Sequence, residues 1–177
     1  MTLTQTEIIQ RATHIRLVVL DVDGILTDGK LYLNQTGEEL KVFHVLDGLG
    51  VELLIRAGID VGIISGRSCE VVRQRANALG IKEVHLGQKN KLICFQQLIE
   101  KLNLTLDQVA AMGDDLPDLC ILNRVALSAT VKNAHPLIQS RCHWIAQRMG
   151  GRGAVREFAD FILTSQGKLE RLIESYQ

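Results

Sequence analysis

Two aspartates one residue apart, Asp21-Val22-Asp23, close a run of aliphatic residues and are followed by Gly24. At the fraying end of a strand two such carboxylates can turn toward one ligand, and Gly24 permits the sharp exit. Further along come Ser65 in Ile64-Ser65-Gly66-Arg67, an isolated Lys91, and Gly113-Asp114-Asp115 with Asp118 at helical distance. A hydroxyl and an ammonium suit phosphoryl oxygens. Several carboxylates in one cleft repel unless a hard cation neutralises them. All-oxygen donors at this density suit Mg²⁺, which binds one or two protein carboxylates plus a substrate phosphate.

Phosphoryl transfer needs an in-line nucleophile, neutralised equatorial oxygens and a proton for the leaving group, and a carboxylate nucleophile is one known solution. A general acid supplies only about 10²–10⁴, against accelerations of up to ~10²¹ for phosphate monoesters, so a metal and positioned cations are required as well. Taken singly these motifs are weak: two acids after a strand are more often a turn than a site, Ser-Gly-Arg is an ordinary turn, and a lone lysine is commonly at the surface. Their joint occurrence, in this order and each at a strand exit, carries the reading.

The elements that must position them follow from hydrophobic periodicity. Thr4 to Glu7 is a capping box opening a helix to about Ala12. Arg16 to Asp21 reads as a buried strand, and residues 30–44 as a β-hairpin about Asn34-Gln35-Thr36-Gly37. Helical spacing at Leu49, Leu53, Leu54 and Ala57 stops at Gly58, and a strand runs from Asp60 to Gly66. Helix then alternates with strand: helix 68–79, strand 82–87, helix Lys91 to Leu102, strand 109–113, a helical turn 118–122 and a strand 125–129. A helical stretch at 133–138, a last strand at 143–146 and a helix from Ala154 to about Tyr176, broken near Gly167, complete the chain. Alternation of this kind specifies an α/β fold, a doubly wound parallel sheet covered on both faces, with a hairpin inserted after the first strand and no cap domain. Ligands bind such sheets beyond the carboxyl ends of the strands, where all the residues named above lie.

Composition excludes other classes. The 177 residues are 46% hydrophobic and 23% charged with zero net charge, which fits one domain, residues 1–177, and favours neither a nucleic-acid nor an anionic-membrane partner. No apolar run reaches the roughly 18 residues of a membrane span, and the opening residues lack the pattern of an export signal. Cys69, Cys94, Cys120 and Cys142 are scattered without zinc spacing, as expected of reduced thiols in a cytoplasmic protein.

The four motifs, D-x-D-G, a strand-end Ser, Lys and GDD-x-x-D, resemble those of the haloacid dehalogenase superfamily, and the likeness runs from about residue 16 to 162. The resemblance implies Asp21 as nucleophile through an aspartyl-phosphate, and Asp23 as general acid and later base. Mg²⁺ would be held by the Asp21 carboxylate, the Asp23 main-chain carbonyl and Asp114, supported by Asp115 and Asp118, with Ser65 and Lys91 on the phosphoryl group. The strings LDVDGILTDG (20–29), GEELKVFHV (37–45), DGLG (47–50), SGR (65–67) and GGRGAVRE (150–157), then QGKL (166–169), resemble the capless branch acting on 3-deoxy-D-manno-octulosonate 8-phosphate, a phosphatase family of lipopolysaccharide biosynthesis. There the segment matching His44, Val45, Leu46, Asp47 and Gly48, with Asp23, Arg67, Arg75 and Lys91, contacts substrate. Leu46 departs from the family, which usually has Arg at that place, so one cation is absent or supplied elsewhere, for instance by Arg152. Relatives acting on nine-carbon keto-sugar acids tend to carry Glu where this chain has Arg67, so Arg67 favours the eight-carbon substrate; a phosphatase of another acidic sugar phosphate is the alternative.

A non-catalytic phospho-receiver is a more distant reading, since receivers place their paired acids and phospho-acceptor on separate strands. Neither G-x-x-x-x-G-K-[ST] nor G-x-G-x-x-G occurs. A two-stranded hairpin is marginal alone, and Leu31, Leu33, Leu40 and Val42 need cover. The expected outcome, which the resemblance also implies, is a homotetramer in which one subunit caps its neighbour's site.

Overall fold

The computed structural model describes residues 3–177. Helix α1 (Gln5–Ala12) begins at the expected capping box, Thr4 N–H donating to Glu7 Oε2 at 2.7 Å and Thr4 Oγ1 accepting from Glu7 N–H at 3.3 Å. Strand β1 (Leu17–Leu20) is buried at all four positions, as a central strand covered on both faces must be. After it come β2 (Tyr32–Leu33) and β3 (Glu39–Leu40), a separate antiparallel pair, then α2 (Val45–Arg56), β4 (Asp60–Ile64), α3 (Glu70–Ala78), β5 (Glu83–His85) and α4 (Lys91–Lys101). The second half is β6 (Val109–Met112), α5 (Leu119–Leu122), β7 (Leu127–Thr130), α6 (Pro136–Gln139), β8 (Trp144–Ile145), α7 (Ala154–Ser165) and α8 (Leu169–Glu174).

The main sheet is parallel throughout, in the order β5-β4-β1-β6-β7-β8. The chain winds outward from β1 to β5, then crosses back to β6 and continues to β8. Right-handed crossovers therefore put α2 and α3 on one face and α4, α5 and α6 on the other, and α7 returns to pack on α2 and α1. The reversal of winding falls between β1 and β6, the place where such sheets open a crevice for ligands. Buried aliphatic side chains from both faces form one continuous cluster, with Phe95 and Phe158 its bulkiest members.

Differences from the expected boundaries have local causes. Helix α2 starts at Val45 rather than near Leu49, because His44 Nδ1 accepts the Leu46 N–H at 3.2 Å and caps the helix early. Helix α3 starts two residues late, at Glu70, after an extended Cys69. Strand β7 begins two residues later than expected and ends one later, and α6 begins only at Pro136, capped by His135 Nδ1 at 3.2 Å. Hydrophobic pattern locates an element; at α2 and α6 a histidine side chain at the cap decides where the helix starts.

The hairpin strands are two residues each. Its turn closes through Asn34, whose Oδ1 accepts from the N–H groups of Thr36 at 3.0 Å and Glu38 at 2.8 Å, and Gly37 takes the left-handed conformation (φ +81) that a side chain would resist. The apolar side chains of this element face outward: Leu31, Leu33, Leu40 and Val42 are 56%, 61%, 65% and 60% exposed.

Candidate active site

Parallel register aligns the strand ends. Leu20 of β1 sits level with Ile63 of β4 and Met112 of β6, and the Asp21 N–H still donates to the Met112 carbonyl at 3.1 Å. The chain leaves the three central strands at one height, so Asp21, Ser65 and the Gly113-Asp114 step share a rim. Asp21, Asp23, Ser65, Arg67, Lys91, Asp114, Asp115 and Asp118 together line a cleft of about 350 Å³ there.

Each side chain is held by its own neighbours. Ser65 is buried, its N–H donating to His85 of β5 at 3.0 Å and its hydroxyl oxygen accepting from the Arg67 N–H at 3.3 Å. Lys91 is the first residue of α4, behind the cap in which Asn90 accepts from the Ile93 N–H, and its ammonium reaches back into the cleft. It lies 2.9 Å from Asp21 Oδ1 and donates to Asp118 Oδ1 at 2.6 Å. The other oxygen of Asp118 accepts the main-chain N–H groups of Asp114 at 3.0 Å and Asp115 at 3.3 Å. Both oxygens of Asp118 are thus committed, and this residue braces the GDD turn and Lys91.

The backbone is shaped to let the acids approach. Gly24 has φ +88, and a Cβ there would overlap the Asp114 carboxylate; a Cβ on Gly113 would overlap the Asp118 side chain. Gly150 and Gly151 pack directly on the backbone of residues 24–28, and the Gly151 N–H donates to the Ile25 carbonyl at 2.9 Å. The glycine pair far along the chain therefore clamps the loop carrying the D-x-D-G motif.

Crowding leaves a charge excess. Asp21, Asp114 and Asp118 each place a carboxylate oxygen within 4.8 Å of the others. Burial, reinforced by Asp118, raises Asp21 to about 6 despite Lys91, and burial with the charges of Asp118, Asp21 and Asp115 raises Asp114 to about 7. Burial opposes the charge on Lys91, but Asp21 and Asp118 outweigh it and its pKa is raised. One lysine does not balance these acids. Hard oxygen donors, too close together and under-neutralised, are the donor set that a divalent cation of the Mg²⁺ class fits.

The expected substrate-binding residues divide into two groups. Asp23, Arg67 and Lys91 line the cleft, whereas His44, Val45, Leu46, Asp47, Gly48 and Arg75 do not. Val45 and Leu46 point to solvent on the first turn of α2, 76% and 40% exposed. Asp47 is buried, and its carboxylate accepts the N–H groups of Gly153 at 3.1 Å and Arg156 at 3.0 Å, capping α7. Within this chain Asp47 is a tie between two helices; its carboxyl is raised by burial, partly offset by those N–H groups. Gly48 leaves the space that the Arg75 guanidinium fills.

Two residues that the motifs did not single out join the site from the hairpin. Lys41 Nζ donates to Asp23 Oδ1 and, at 2.9 Å, to Glu39 Oε1; Arg67 donates to Glu39 Oε2 at 2.7 Å. The available signal was alternation, since in Glu39-Leu40-Lys41-Val42 two charged residues share one face of a strand.

Comparisons with known proteins agree with this geometry. Residues 81–157 match the haloacid dehalogenase-like hydrolase family. The chain is 47% identical over 164 residues to 3-deoxy-D-manno-octulosonate 8-phosphate phosphatase KdsC of Yersinia pestis, covering 93% of this chain and 88% of that protein. Among solved structures, the corresponding phosphatase of Moraxella catarrhalis, in complex with magnesium ion, phosphate ion and a KDO molecule, superposes with a TM-score of 0.95 at 40% identity, covering 98% of this chain and all of that one (100%). A cobalt-bound phosphatase of the same kind from Haemophilus influenzae gives a TM-score of 0.87 at 39% identity, with 90% and 93% covered.

Proposed function

Because the chain belongs to the haloacid dehalogenase-like phosphatase family typified by the 3-deoxy-D-manno-octulosonate 8-phosphate phosphatases, we propose that it hydrolyses 3-deoxy-D-manno-octulosonate 8-phosphate to the free sugar acid and inorganic phosphate. The observation that carries this reading is the convergence on one cleft of Asp21 and Asp23 after β1, Ser65 after β4, Lys91 at the start of α4 and Asp114 after β6.

The Asp21 carboxylate attacks phosphorus in line, forming an acyl phosphate as the bond to the sugar oxygen breaks. Asp23, protonated, gives its proton to that oxygen. As a carboxylate it then takes a proton from the water that attacks the phosphoryl group, releasing phosphate and restoring Asp21. The Ser65 hydroxyl and the Lys91 ammonium bind phosphoryl oxygens, and Lys91 also keeps Asp21 charged and aimed. Mg²⁺ would be held by the Asp21 carboxylate, the Asp23 carbonyl and Asp114, and supplies positive charge to the transferring phosphoryl group. Asp115 and Asp118 are supporting acids, and Arg67, at the mouth beyond Asp23, is placed to meet the sugar acid.

The whole chain acts as one catalytic domain in the cytoplasm, a setting consistent with four free cysteines. Among the described residues no helix is long and apolar enough to cross a membrane. The active form is a homotetramer, in which the outward apolar face of the hairpin is buried. His44, Val45, Leu46 and Arg75, outside their own chain's cleft, complete a neighbour's site. Phosphate release from the eight-carbon sugar acid phosphate with Mg²⁺, and its loss in excess chelator, tests the reading. Full activity in chelator, or no turnover of that substrate beside rapid turnover of a nine-carbon analogue, overturns it.

A further inference from the structure

Asp23 sits in a closed ring of alternating charges. Its Oδ1 accepts from Lys41, and its Oδ2 lies 3.8 Å from Arg67 Nη1; Glu39 faces the same two cations, Oε1 to Lys41 at 2.9 Å and Oε2 to Arg67 at 2.7 Å. The Lys41 side chain is only 3% exposed and does not line the cleft, whereas Asp23 and Arg67 do. An ammonium buried to that degree is retained only if its partners are well placed. Here both partners are carboxylates, one of them on the catalytic loop.

We propose that Lys41 is the positioning residue of the acid–base step, fixing the Asp23 carboxylate by its Oδ1 so that Oδ2 is the atom that hands the proton to the leaving oxygen. Glu39, two residues earlier, anchors Lys41, and Arg67, 3.8 Å from Oδ2 and too far to hydrogen-bond it, closes the ring without occupying the working oxygen. Glu39 of β3 and Lys41 just beyond it turn inward, while Leu40 and Val42 turn outward. The hairpin therefore contributes to proton transfer through one face and is free to meet another chain through the other. The inference rests on the assignment of Asp23 as general acid.

The test compares a sugar (alkyl) phosphate, whose leaving oxygen needs a proton, with an aryl phosphate, whose leaving group needs little help. Lys41→Met lowers kcat on the alkyl phosphate by about 10²-fold, the scale of a misplaced catalytic group, and on the aryl phosphate by roughly tenfold less. KM for the alkyl phosphate changes little, because Lys41 does not reach the cleft, and Lys41→Arg recovers most of kcat. Should Lys41→Met fail to fold, Glu39→Gln, which removes the anchor and leaves the lysine, shows the same dependence on leaving group. An equal loss on both phosphates, no loss at all, or a loss confined to KM overturns the proposal. Asp23→Asn separates the two levels. If its own loss depends on the leaving group and that of Lys41→Met does not, the positioning role alone falls; if its loss is uniform, the acid assignment falls and the proposal with it.

Discussion

The catalytic rim and the hairpin place charge and grease in opposite ways. At the rim, Lys91 and Asp118 are buried, and each is satisfied within the chain. Among the described residues no buried side-chain nitrogen or oxygen lacks a hydrogen-bond partner. In the hairpin the polar residues Glu39 and Lys41 are turned inward, and Leu31, Leu33, Leu40 and Val42 are presented to solvent. A buried polar group must find its partner locally, because leaving it unmade costs about 1–3 kcal/mol. An exposed leucine incurs no such local penalty, and its burial can wait for a second molecule. The buried polar groups of the rim are therefore paired within one chain, whereas the hairpin buries only its inner face.

Removing the proposed nucleophile breaks the rim side of this comparison most severely. Asp21→Asn keeps the fold, since a neutral amide relieves the repulsion among the acids, but lowers phosphate release by about 10⁴-fold or more. A steady-state assay at saturating Mg²⁺ beside a thermal melt checks both halves; near wild-type turnover would remove Asp21 from its role.

An assault on the hairpin's outer face should leave the rim intact. With the proposed homotetramer as the starting point, Leu31→Asp with Val42→Asp lowers the mass seen by light scattering toward that of a monomer. Activity on the sugar acid phosphate falls by about an order of magnitude, equivalent to roughly 1.4 kcal/mol, with a smaller fall on an aryl phosphate. A monomer fully active on the sugar substrate would show that one chain completes its own site.

The smallest effect sharpens the electrostatic contrast. Asp114 at about 7 and Asp21 at about 6 are both raised from the ordinary 3.8, so between those values the folded protein holds protons that the unfolded chain has lost. Without a cation this contribution to stability declines as pH rises from about 4 to 7 and stays low above it. Mg²⁺ replaces the missing positive charge, so it raises Tm by several degrees more near pH 8 than near pH 5.5. Thermal unfolding with Mg²⁺ and with chelator at the two pH values measures it, and an equal rise at both would show that the acids do not share the cation.

Much of this was legible in the residues. The apolar run 17–20 ending in Asp21, the spacing of acids in GDD-x-x-D and the alternation of strands with amphipathic helices predict a doubly wound sheet with its chemistry on one rim. The reason is physical, since period, capping and strand-end position are local properties that a linear pattern carries. Lys41 was not legible in this way, because a lysine among short hairpin strands reads as solvated until the fold places it behind Asp23. Nor could the pattern show that Asp47 is spent on capping α7, or that Gly150 and Gly151 close on residue 24 and its neighbours. Those contacts join residues more than a hundred positions apart. Only packing of the completed sheet and helices decides which distant groups share a buried space, and hence which charges must be paired there.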